Sequence, residues 1–151
     1  MPIPSGFVAN PSGYYTRGDG AAPFAFDGTT MVYVGLGPVT SYASGNVANA
    51  TAAATIPAVA GKTSYITGFD VSGAGATVGG VVLLTITGLL GGTTTYPISA
   101  PTGVTLGLTP LVVNFSPPLQ ASGLNTAIVV SLPALGAGNT NAAVVARGFS
   151  I

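Results

Sequence analysis

The chain has 151 residues with no cysteine or histidine, and its three cationic and three anionic side chains sum to zero. That set excludes a disulfide framework, a zinc–thiolate centre and a histidine-based nucleophile, and three cations cannot form the basic track that displaces counterions from a duplex, so direct nucleic-acid binding is not expected. Hydrophobic residues make up 48% and charged residues only 4%, against about 25% charged in an ordinary soluble domain; a subunit that hides much of its exterior in an assembly fits that balance, whereas a small monomer relies on surface charge for solubility.

In chain order, residues 1–30 stand apart. They hold Pro2, Pro4, Pro11 and Pro23 together with five glycines, at a density that forbids a regular helix. They also carry Phe7, Tyr14, Tyr15, Phe24 and Phe26, and a disordered tail is ordinarily poor in aromatics. The composition predicts an extended Pro/Gly-rich arm, with Phe7, Tyr14, Tyr15, Arg17, Phe24 and Phe26 as its candidate partner contacts. Such an arm can lie on a neighbouring subunit or on its own domain, and the residues leave both open. Arg17-Gly18-Asp19 within it matches an integrin-binding triplet, but three residues recur by chance, and a turn with a local Arg–Asp pair is the preferred account of them. The beginning of the chain has neither the basic nor the apolar stretch of a secretory signal.

A single β-sandwich is expected over 31–151. Residues 31–36 form a short strand candidate, and 43–55 are Ala-rich and read as a connection into a strand near 51–56. Over 63–71 the chain alternates, placing Tyr65, Thr67, Phe69 and Val71 on one face and Ser64, Ile66, Gly68 and Asp70 on the other. A glycine turn follows, then a β-branched strand over 81–87. The apolar run 78–90 is interrupted by glycines and is shorter than the ~20 residues of a spanning helix, so it predicts a buried strand and no membrane span. Further strands are expected over 93–99, over 111–115 (ended by Pro117-Pro118), over 127–132 and over 141–151. Seven or eight short strands separated by turn signals predict an all-β sandwich, of jelly-roll type.

Little in the sequence carries chemistry. With three aspartates and no glutamate there is no ready carboxylate pair, and no Asp-x-Asp-x-Asp loop for calcium is present. No cofactor or metal is therefore expected, and no enzyme. Asp70 with Lys62 and Arg147 reads as a structural ion pair.

Four runs carry a resemblance: Ile66-Thr-Gly-Phe-Asp70, Gly88-Leu-Leu-Gly-Gly92, Leu111-Val-Val-Asn-Phe-Ser-Pro-Pro-Leu119 and Leu132-Pro-Ala-Leu-Gly-Ala-Gly-Asn-Thr-Asn-Ala-Ala143. Over about 52–151 the chain resembles small β-sandwich proteins of tailed-phage particles. The resemblance implies a virion structural protein on the outer surface of a capsid, a decoration or cement protein. Its partners would be the major capsid protein and copies of itself, in a homotrimer at local three-fold positions. The alternative is a receptor-binding or fibre module that contacts a host glycan or surface protein; a glycan hydrolase is disfavoured by the missing carboxylate pair.

Overall fold

The computed structural model describes residues 39–103, 107–136 and 138–151 in full, and the backbone of four short strands before them. The chain divides into two compact units, Met1–Gly37 and Pro38–Ile151.

In the first unit, β1 (Phe7–Ala9), β2 (Tyr14–Arg17), β3 (Pro23–Phe26) and β4 (Met31–Tyr33) form one antiparallel sheet in sequential order. The Pro/Gly-rich segment 1–30, expected as an extended arm, falls within this unit. Runs of three or four aromatic and β-branched residues between Pro/Gly breaks are also a hairpin signal, and sequential strands with short connections tend to pair. The strand candidate at 31–36 belongs here too, because Met31–Tyr33 pairs with Pro23–Phe26. The unit ends at Gly37.

The second unit is a β-sandwich of eight strands: β5 (Thr40–Ala43), β6 (Ala52–Ile56), β7 (Thr63–Ala74), β8 (Gly80–Thr87), β9 (Thr94–Ala100), β10 (Leu111–Leu124), β11 (Ile128–Leu132) and β12 (Asn141–Ser150). Sheet I has the order β10-β7-β12-β5 and sheet II the order β6-β11-β8-β9, with every pair antiparallel. The pairing is nested: β5 pairs with β12, β6 with β11, β7 with β10 and β8 with β9. A long antiparallel hairpin rolled over on itself has this connectivity. Alternation builds the core between the sheets. Sheet II turns Ala54, Ile56, Leu84, Ile86, Ile128 and Val130 inward, and sheet I contributes Ile66, Phe69, Val71, Val144 and Ala146. Phe69 meets Tyr96 of the opposite sheet edge-on, with centroids 5.3 Å apart, and lies 6.2 Å from Phe115; such aromatic contacts add to area burial.

Four strand expectations are corrected. The strand within the apolar run 78–90 was expected to be buried, but only one face of β8 is: Leu84 and Ile86 point inward, whereas Val81 and Leu83 are 66% and 53% exposed. On β7, Gly68 pairs with Arg147 and Ile66 with Gly148, so Thr67 has no opposite residue. This bulge switches the faces: Ile66 points inward before it, and Phe69 and Val71 point inward after it. The uninterrupted alternation expected over 63–71 therefore breaks at its middle. Pro117-Pro118 does not end β10, which runs to Leu124 with a register shift between Asn114 and Leu119; β10 is an edge strand, where proline forfeits no ladder bond to a second neighbour. Finally, β5 was not expected. It offers only Tyr42 to the core and owes its conformation to pairing with β12.

Candidate functional site

Each sheet has one face on the core and one face outward, and the two outward faces differ in kind. On sheet I, Arg147 of β12 stands opposite Gly68 of β7, and Gly68 stands opposite Asn114 of β10. Glycine leaves the middle of this row open, and the guanidinium extends across it. Its Nη2 donates to Asn114 Oδ1 at 3.1 Å and to Asp70 Oδ1 at 3.1 Å, while Nη1 donates to Asp70 Oδ2 at 2.6 Å. The Arg–Asp pair is thus bidentate, with side chains 27% and 34% exposed, and charge-assisted forks of this kind are the stronger ion pairs. A Cβ at Gly68 would collide with the Val113 carbonyl and come within 3.0 Å of Asn114 Oδ1. The bulged Thr67 contributes as well, its Oγ1 donating to the Arg147 carbonyl at 3.1 Å. One polar network therefore ties β10, β7 and β12 together where their ladders lose register.

Lys62 takes no part in this network, contrary to the grouping expected from sequence. It lies in the turn between β6 and β7, where its backbone N–H donates to Val59 and its carbonyl accepts from Asn125. Its distance along the chain from Asp70, with a bulge between them, carries it away from the pair. Asn114 was the missing partner. Its signal was an amide in an outward position of an otherwise apolar run.

The outer face of sheet II carries no charge. Ala53, Ser131, Thr85 and Thr95 form one row across all four strands. Val81 and Leu83 stand beside Ser99 and Pro97 on β8 and β9, and they are 66% and 53% exposed. Large aliphatics that open to solvent on a sheet face carry meaning when they are contiguous.

At one end of the sandwich, amides organise the β5–β6 connection. Asn139 is fully buried; its Oδ1 accepts from the Asn49 N–H and its Nδ2 donates to the Asn141 carbonyl. Asn46 Nδ2 donates to Asn141 Oδ1 at 2.9 Å. Beside them lies a cleft of about 240 Å³ lined by Asn46, Ser72, Leu108, Asn141 and Ala143. A second, more apolar cleft of about 430 Å³ lies among Leu89, Leu90, Pro118 and Leu119.

For the expected arm contacts, the structure places backbone only: Phe7 pairs with Arg17, Tyr14 with Ala25, Tyr15 with Phe24, and Phe26 with Met31. The side chains of Phe7, Tyr14, Tyr15, Arg17, Phe24 and Phe26 lie outside the described residues. Among the described residues, no three His, Cys, Asp or Glu come together as metal ligands, and no helix is long and apolar enough to cross a membrane. No protein-family model, curated protein or solved structure matches the chain.

Proposed function

We propose that this chain is a structural protein of a phage particle, a jelly roll that decorates the outer surface of the capsid and stabilises it as a cement protein, without catalytic turnover. The observation that carries the reading is the near-absence of charge from the sandwich surface. The unit bears only Lys62, Asp70 and Arg147, and two of these are spent on each other. A surface so poor in charge suits contact with protein better than free solution. The nested pairing of eight strands, first with last and second with second-last, also supports the jelly-roll reading. In this reading the Met1–Gly37 unit, rich in proline and aromatics, contacts the major capsid protein, and copies gather as trimers at local three-fold positions. Many weak contacts then act together through effective concentration.

The test is cosedimentation of the full-length protein, and of a form lacking 1–37, with empty capsid shells, after circular dichroism has shown both to be folded. The expected outcome is saturable binding of the full-length chain at hundreds of copies per shell, lost in the shortened form. Full-length protein that stays in the supernatant would overturn the capsid reading.

The Asn46–Asn141 cleft favours a second reading, as a receptor-binding or fibre module. Amides and a hydroxyl around a cleft of about 240 Å³ are groups that can hydrogen-bond a host glycan. A glycan array with Asn141→Ala as control tests it; binding by the parent chain and loss in the variant would support this role.

A further inference from the structure

We infer that the charge-free outer face of sheet II is a homotypic contact, packing against the same face of a second copy of this chain. The inference deepens the reading of the chain as an assembling subunit and rests on it; being two-fold, the contact would join copies of neighbouring trimers rather than the copies within one.

Three properties of the face select its occupant. The first is charge. A partner that laid carboxylates or ammonium groups on this face would desolvate them against threonine, proline and aliphatic carbon with no counter-charge, and that is costly. The occupant must therefore be uncharged over the contact. This same face on another copy meets that condition, and a net charge of zero removes repulsion between copies.

The second property is hydrogen bonding. The row Ser131, Thr85 and Thr95 presents hydroxyls, each of which both donates and accepts. Rows of hydroxyls are complementary to themselves, as a two-fold contact requires, since each patch then meets its own image. A face of ammonium groups or carboxylates could not pair in this way.

The third is shape and area. Two sheets stack face to face about 10 Å apart when aliphatic side chains interdigitate, and Val81 and Leu83 supply such side chains on β8, where they are more than half exposed. Four strands about 4.8 Å apart, of five to eight residues at about 3.3 Å per residue, give a footprint of roughly 300–400 Å². Burying that area on both partners falls short of the ~1,200 Å² of a stable pair. The contact is therefore weak in isolation and becomes effective only where copies are held close together.

Sedimentation velocity on the full-length protein from micromolar to millimolar concentration tests this without any capsid. The expected result is a weight-average sedimentation coefficient that rises with concentration and is unchanged between low and high NaCl. Leu83→Lys and Thr95→Lys should each weaken association at least about tenfold while leaving the urea midpoint in place, and Arg147→Met on sheet I should leave association unchanged. Because the chain contains no cysteine, a single Thr85→Cys reports the contact directly. A short bismaleimide should join Thr85→Cys copies into dimers and leave Ser72→Cys copies, labelled on the opposite face, as monomers. A parent chain that stays monomeric to millimolar concentration, association that salt disrupts, or equal cross-linking at both positions would each overturn the inference. Shell binding is a separate measurement, so failure of the homotypic contact and failure of the capsid reading are told apart.

Discussion

The outer faces of the two sheets have the same pleated, four-stranded architecture and opposite chemistry. Sheet I carries Arg147, Asp70 and Asn114 joined across three strands; sheet II carries hydroxyls, alanine, proline and exposed aliphatics. The ladders explain the difference. In sheet I both β7–β12 and β7–β10 lose register, at Thr67 and between Asn114 and Leu119, and side-chain bonds supply what the backbone ladder omits there. In sheet II the β6–β11, β11–β8 and β8–β9 registers run without a shift, so no polar group is needed to hold strands together. Of the three charged side chains among the described residues, two sit where the ladders of sheet I lose register.

Both faces rest on one core, so the largest effect comes from breaking what they share. Phe69 reaches from sheet I to Tyr96 of sheet II and is fully buried. Phe69→Ala should cost about 3–5 kcal/mol, read as a fall in the urea midpoint with m unchanged. An effect under about 1 kcal/mol would mean that the sheets do not share that contact.

Next in size is Gly68→Ala, which strikes sheet I alone. The added methyl collides with the Val113 carbonyl and crowds both Asn114 and the guanidinium, so overpacking of about 1–3 kcal/mol is expected. Ser131→Ala, at a central position of sheet II, should stay within about 0.5 kcal/mol. Equal effects at the two positions would break the comparison between an outer face under constraint and one that is free.

These two faces were unequally legible in the sequence. The strands of sheet II end at glycine or proline, so β6, β8, β9 and β11 could be placed within a residue or two, although the apolar run of β8 hid the fact that one of its faces is outward. Sheet I was harder, because a bulge leaves no local mark. Thr67-Gly68 reads as ordinary alternation, and only the partner strand reveals that one residue is extra. Pro117-Pro118 signals a break, yet whether a strand resumes beyond it depends on having an unpaired edge, which is a tertiary fact. Arg147 and Asp70 could be matched because so few charges were available to pair. Lys62 was grouped with them for the same reason, and sequence offered nothing to separate it. The uncharged face of sheet II was visible only as an overall scarcity of charge, since assigning residues to one outer face requires knowing which strands are neighbours.

A third and smaller effect is expected from Arg147→Met. The pair is partly exposed, which limits its worth to about 1 kcal/mol, and the thioether retains much of the stem's packing. Arg147→Lys should recover only part of the loss, because an ammonium cannot hold both Asp70 oxygens and Asn114 in one plane. A double-mutant cycle with Asp70→Asn should give a coupling of about 0.5–1 kcal/mol that shrinks in high salt. A coupling of zero would mean that the network marks the bulge without stabilising it.

The smallest effect on folding is expected from Leu83→Lys. Leu83 is already 53% exposed, so lysine gives up little buried area and can lay its stem along Pro97 with the ammonium in water. Stability should move by no more than about 0.5 kcal/mol. The comparison is sharpest here, because a change nearly silent in urea should weaken the self-association seen in sedimentation at least about tenfold. If Leu83→Lys instead destabilised the fold as much as Gly68→Ala, the outer face of sheet II would be structural, and the division of labour between the two faces would fail.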